Sequence, residues 1–146
     1  MVIGIIGENC SGKSTLAKEI RRTAGGEIVT GKDYLRLARS ESEAETLFRE
    51  KLQGAVSGEN VIYVISEKEQ LRLLPDGAVR ILVKADLDTI RERFRARMRG
   101  NLPPPVEQML VRNHGKYDDV PCDYVFDSTA GDPEAFCAEL RFNMPG

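Results

Sequence analysis

Gly7-Glu8-Asn9-Cys10-Ser11-Gly12-Lys13-Ser14 fits the spacing G-x-x-x-x-G-K-[ST], a phosphate-binding loop. Each part has a chemical reason. The glycines let the chain wrap closely, so that successive backbone N–H groups point inward at phosphate oxygens. A helix opening at the end of the loop turns its positive end to the same anion. Lys13 is placed to reach the terminal phosphates, and the Ser14 hydroxyl to bind Mg²⁺. The nucleotide-binding candidates are therefore Gly7, Glu8, Asn9, Cys10, Ser11, Gly12, Lys13, Ser14 and Thr15. Ser14 is also the metal ligand, and Lys13 also a catalytic group. Cys10 sits where a helix N-terminus lowers a thiol pKa, which admits a redox role. The plainer reading is a small residue at a variable loop position.

The elements that must hold this loop alternate short β-branched runs with longer helical patterns, the mark of a parallel sheet covered by helices. Val2 to Ile6 is apolar throughout, as a strand buried on both faces would be. A helix is predicted from about Lys13 to Arg22, stopped by Gly25-Gly26. Glu27 to Val29 reads as a second strand, and a helical pattern resumes near Lys32. Ser40 or Ser42 opens the next helix, each with a glutamate three residues on, and Gly54 ends it. Val61 to Ile65 and Val79 to Val83 are further strands. Leu87, Ile90, Phe94 and Met98 mark one helix face. Gly100 to Pro105 reads as a loop, and a helix runs from about Val106 to His114. Asp123 to Phe126 is the last strand. Asp132-Pro133 then opens a helix to about Leu140.

The chain has 146 residues, 41% hydrophobic and 30% charged, which fits one globular domain over 1–146 and excludes collagen-like and disordered classes. Its 21 Lys+Arg against 23 Asp+Glu leave a net charge of −2, unlike a dedicated nucleic-acid binder. The three cysteines, Cys10, Cys122 and Cys137, cannot all pair, which points to a reducing compartment. No apolar run reaches the roughly 18 residues of a membrane helix. The first residues lack a basic segment and run straight into the loop, so no signal peptide is expected. The expectation is a cytoplasmic protein with neither nucleic acid nor membrane as partner.

Four further stretches carry chemistry: Thr30-Gly31-Lys32-Asp33-Tyr34-Leu35-Arg36 after the second strand, Glu92-Arg93-Phe94 with Arg97, Arg112 with Tyr117, and Asp127-Ser128-Thr129-Ala130-Gly131 after the last strand. With the phosphate loop and the order of elements, they resemble the small P-loop kinases, the group of adenylate, cytidylate and shikimate kinases. The resemblance spans nearly the whole chain. It implies a three-layer α/β/α fold, a five-stranded parallel sheet with helices on both faces, and a short lid at about 99–106. It also implies ATP and Mg²⁺ as cofactors and a small-molecule phosphate acceptor.

The resemblance implies roles for single residues as well. Against the T-G-D-x-L-R stretch of adenylate kinases, with one residue extra, Thr30 lies near the acceptor and Arg36 holds an acceptor phosphate. Against the D-D-[FY]-[YF] stretch of nucleoside kinases, Asp33 takes the proton of an acceptor hydroxyl. A carboxylate at the C-terminal end of a parallel strand suits that work. Both readings stay open, with Tyr34 in the same acceptor site. The lid-helix pattern E-R-[LIF]-x-x-R puts Arg93 near the adenine and Arg97 on the transferring phosphate. Arg112 would contact phosphate too, and 127–131 would cradle the adenine. Arg91, Arg95 and Arg99 read as solvated, and His114 takes no catalytic role.

One departure stands out. The group ends its third strand with an Asp that helps hold Mg²⁺, often in D-G-x-P-R, whereas this chain runs Tyr63-Val64-Ile65-Ser66-Glu67. Ser66 or Glu67 would have to substitute. Two functions follow. One is an ATP-dependent phosphotransferase acting on a nucleoside, nucleotide or shikimate-like alcohol, with Lys13, Arg97, Arg112 and Asp33 catalytic. The other is a nucleotide-binding regulatory or ATPase module with no small acceptor.

Overall fold

The computed structural model describes residues 1–143, with the side chains of 141–143 left aside. Five strands form one parallel sheet: β1 (Val2–Ile6), β2 (Glu27–Thr30), β3 (Val61–Ile65), β4 (Val79–Lys84) and β5 (Tyr124–Asp127). Their order is β2-β3-β1-β4-β5, with β1 and β3 in register from Val2↔Val61 to Ile6↔Ile65. Five α-helices connect and cover them: α1 (Lys13–Ala24), α2 (Glu41–Ala55), α3 (Leu87–Arg97), α4 (Pro104–Asn113) and α5 (Pro133–Asn143). Among the described residues no helix is long and apolar enough to cross a membrane.

Strand alternation divides the core in two. Val2, Ile6, Val61, Tyr63, Ile65 and Leu82 face α2, where Ala44, Phe48 and Leu52 receive them. Ile3, Ile5, Ile62, Val64, Ile81 and Val83 face Leu16, Ala17 and Ile20 of α1 and Cys137 and Leu140 of α5. Both faces are covered, so β1 and β3 are apolar at every position, as the continuous runs imply. On the α2 side Phe48 stacks on Tyr34 at 5.1 Å and meets Tyr63 edge-on at 4.9 Å.

Local chemistry sets the helix starts. Ser40 accepts from the Glu43 N–H, which settles the choice between the two serines, and Asp86 accepts from the Thr89 N–H. Three details differ from expectation. The pattern near Lys32 becomes a short 3-10 helix, Asp33–Leu37, and a second one, Lys68–Leu73, follows β3 unforeseen. The helix expected from Val106 begins at Pro104, because proline suits a helix's first turn, where its missing N–H has no bond to make. The lid expected at about 99–106 thereby shortens to the connection 98–103.

Phe48 joins the two tyrosines and is 1% exposed. Phe48→Ala should cost about 3–5 kcal/mol of stability, read as a lowered urea midpoint. A loss below about 1 kcal/mol would show that this aromatic cluster is not part of the cooperative core.

Candidate active site

The phosphate loop joins β1 to α1, and close approach dictates its glycines. A Cβ on Gly7 would lie 2.5 Å from Ser11 Oγ and 2.7 Å from the Val83 carbonyl. Cys10 and Gly12 reverse the chain at φ 64° and 103°. No side chain caps α1 and no acid lies in its first turn, so its positive end is turned to the loop uncompensated. Asn9, Ser14 and Thr15 are exposed, while Ser11 is buried with its hydroxyl unpartnered. Cys10 is buried in a cluster with Ala85, Ile90 and Leu110, so the structure gives it a packing role.

The outward-facing carbonyls of the loop are taken up from α3 and from the segment after β5. Arg93 donates from Nη1 to the Cys10 carbonyl at 3.0 Å and to Ser128 Oγ at 2.9 Å, and from Nη2 to the Ser128 carbonyl at 3.1 Å. Ser128 Oγ in turn donates to the Ser11 carbonyl. Within the loop the Ser11 N–H donates to the Glu8 carbonyl at 3.1 Å, and the Gly7 N–H donates to the Ile65 carbonyl at 3.4 Å.

Lys13, the first residue of α1, is buried, 7% exposed. Its ammonium donates to the Gly7 carbonyl at 2.8 Å and to the Glu8 carbonyl at 2.7 Å. Burial pushes its pKa down from 10.5 to about 8, helped by the positive charges of Lys116 and Arg97. Arg97 is exposed and makes no ion pair among the described residues. Arg91 is tied between Asp88 at 3.2 Å and Glu107 at 3.4 Å, and Arg95 pairs with Glu92. Of the α3 arginines, then, Arg93 is bonded to the loop, and the charge of Arg97 acts on Lys13. Arg112 is exposed along a shallow groove on α4 with Pro104, Glu107, Gln108 and Val111.

The turn after α4 reaches the loop from another side. Glu8 accepts from the Gly115 N–H at 2.8 Å and lies 3.2 Å from His114 Nδ1. Tyr117, fully buried, donates to the Ser66 carbonyl at 2.5 Å. Lys116, which sequence reasoning passed over, lies between them.

The acceptor candidates follow β2. Tyr63 Oη donates to the Gly31 carbonyl at 2.7 Å, and burial raises its pKa well above the ordinary 10. Thr30 is exposed at the strand end. Asp33 and Arg36 line a pocket of about 210 Å³ against Tyr34, Phe48 and Lys51, at the β2 edge of the sheet. The Tyr34 ring belongs to the core. At the end of β3, Gln70 is buried and its Oε1 accepts from the N–H groups of Ser66 and Glu67. Glu67 caps the following 3-10 helix and lies 3.9 Å from Lys32. Its carboxylate is thus engaged where the resemblance expects a metal-holding Asp.

The Lys13 ammonium is buried at neutral pH, and this makes the fold pH-dependent. Its folded pKa lies below its unfolded one, so it destabilises the fold below pH 8, and the penalty fades as pH rises from about 8 towards 10.5. Between about pH 7 and 9.5 the wild type should gain about 2 kcal/mol relative to Lys13→Met, measured by urea unfolding. Parallel pH profiles for the two proteins would contradict this placement of the ammonium.

No protein-family model and no curated protein sequence matches the chain. Solved structures do. YorR protein from Bacillus subtilis, in complex with phosphorylated GDP, matches with TM-score 0.67 and 19% identity over 98% of this chain and 95% of its own. A shikimate kinase from Bacteroides thetaiotaomicron matches with TM-score 0.65 and 16% identity over 98% and 97%. A gluconokinase from Sinorhizobium meliloti 1021 matches with TM-score 0.62 and 17% identity over 97% and 94%. At such identities the likeness is one of fold. The chain has the parallel five-stranded P-loop fold shared with the small-molecule kinases.

Proposed function

We propose that the chain is an ATP-dependent phosphotransferase acting on a small metabolite. The observation that carries this reading is the buried Lys13 ammonium, bonded to the Gly7 and Glu8 carbonyls of a loop whose Cys10 and Ser11 carbonyls are bonded by Arg93 and Ser128. Such a loop at the start of a helix suits a polyphosphate, since Gly7 lets it close around Lys13 and Gly12 lets Ser128 and Arg93 pack against it. Ser14, exposed in the first turn of α1, suits Mg²⁺. When bound, that ion would neutralise charge on the terminal phosphates.

The residues of the chain then have distinct tasks. Lys13 holds the terminal phosphates, and Arg97 counters the charge that grows on the transferred group. Arg93 keeps the loop in shape and offers its plane to the base beside 127–131. An acceptor hydroxyl oxygen bonds to the γ-phosphorus while the bond to the bridging oxygen breaks, its electron pair staying with the departing diphosphate. The hydroxyl proton passes to Asp33. An acceptor phosphate would instead lean on Arg36, whose planar fork holds it in two hydrogen bonds and needs no base. Catalysis on either route is chiefly positioning and charge neutralisation.

A second reading, an ATPase or regulatory module, draws on the end of β3. There Glu67 is engaged with Lys32 and a helix cap, so no free carboxylate stands in for the usual Asp. ATP turnover measured against a panel of metabolites separates the two readings. Acceptor-dependent ADP release supports the kinase, and acceptor-independent release supports the module.

In the same assay Lys13→Ala should abolish turnover and weaken nucleotide binding while the fold is kept. Arg97→Met should lower turnover on the order of 10³-fold, within the range of a phosphate-facing arginine. Arg91→Met should cost less than about tenfold, being a partly exposed ion-pair residue. Equal losses would overturn the assignment of Arg97.

At the acceptor side, Asp33→Asn and Arg36→Met should both leave ATP affinity unchanged, and at least one should lose transfer. Full transfer by both variants would place the acceptor elsewhere.

A further inference from the structure

The turn that follows α4 is anchored at two places. The Gly115 N–H reaches Glu8 Oε2 at 2.8 Å, in the phosphate loop. Tyr117 Oη reaches the Ser66 carbonyl at 2.5 Å, at the end of β3. Lys116 lies between the anchors, half-buried, its ammonium 5.0 Å from the centroid of the Tyr117 ring. Gly115 makes the turn possible at φ 79°. Lys116 makes no ion pair among the described residues, and its charge acts on Lys13. Arg97 adds a third cation.

Gathering cations around a buried ammonium costs free energy, and an anion placed among them recovers it. The fold maintains this convergence through a single residue. The carbonyl of Glu8 accepts from Lys13 at 2.7 Å, while its carboxylate pins the turn that carries Lys116. Arg112, to which the family resemblance assigns a phosphate contact, lies on the outer groove of α4. We propose that Lys116 is a second phosphate-binding lysine, held opposite Lys13 by Glu8 so that the terminal phosphoryl group lies between the two ammonium groups. This rests on the phosphotransferase reading. It adds that Lys116 is a catalytic residue contacting the γ-phosphate and that Glu8 is its positioning residue.

The test compares a non-hydrolysable ATP analogue with ADP, each with Mg²⁺, by calorimetry. Lys116→Met should weaken the ATP analogue about tenfold and ADP by less than about twofold, as loss of one charge-assisted contact to the γ-phosphate requires. Lys116→Arg should restore the preference. Glu8→Ala should lose it too, whereas Glu8→Gln, which keeps an oxygen for the Gly115 N–H, should retain it. A change in overall stability alone would shift both nucleotides together, so the ratio isolates positioning. Unchanged or equal losses at Lys116→Met overturn the role of Lys116. A preference that survives Glu8→Ala overturns the role of Glu8. A wild type that binds neither nucleotide overturns the phosphotransferase reading itself, and the inference with it.

Discussion

The structure depends on keeping one ammonium group in a place that water hardly reaches. Lys13 is carried there by the first turn of α1, and two loop carbonyls receive it in place of solvent. A buried cation of this kind is tolerated only with such partners. The demand propagates. The loop must curl tightly enough to present Gly7 and Glu8 carbonyls to its own lysine, which excludes a side chain at Gly7. The Cys10 and Ser11 carbonyls are bonded from outside, which recruits Arg93 and Ser128 from elements far along the chain.

The sheet supplies the rigidity for this arrangement. β1 lies centrally, hydrogen-bonded on both sides by β3 and β4, and its inner and outer faces are both sealed by helices. The loop therefore starts from one of the least mobile points of the molecule. The groups around it come from less constrained elements: the end of α3, the turn after α4, and the segments following β2 and β5. Rigid scaffold and variable surroundings are thus divided along the C-terminal edge of the sheet, where open parallel sheets bind ligands.

How much of this was legible in the sequence follows from the range of each interaction. β1 and β3 read clearly, because burial on both faces leaves an unbroken apolar run. The phosphate loop read clearly, because its glycines, lysine and serine are neighbours in sequence. The Ser40 cap needs only a residue three positions on. Contacts across the chain left no local trace. Glu8 and Gly115 are separated by 107 positions, Ser11 and Ser128 by 117. Nothing in either neighbourhood marks Glu8 as a strut or Lys116 as a loop residue. The 3-10 helix Lys68–Leu73 was missed for another reason: it is too short for a periodic pattern to declare itself. Pro104 misled because proline signals both a break and a beginning.

α3 and α4 form a hairpin whose arms are tied by Arg91 and Glu107, and whose bend, through Arg99 and Gly100, is set by left-handed backbone. The hairpin joins the rest of the molecule at two roots. The first root, around Ala85 and Asp86, is steadied by the hydrogen bond from the Asp86 N–H to Thr129 Oγ1. The second is the His114-Gly115 turn, fastened to Glu8. Glu8 thereby couples the phosphate loop to one end of a hairpin whose other end, at Met98, lies exposed.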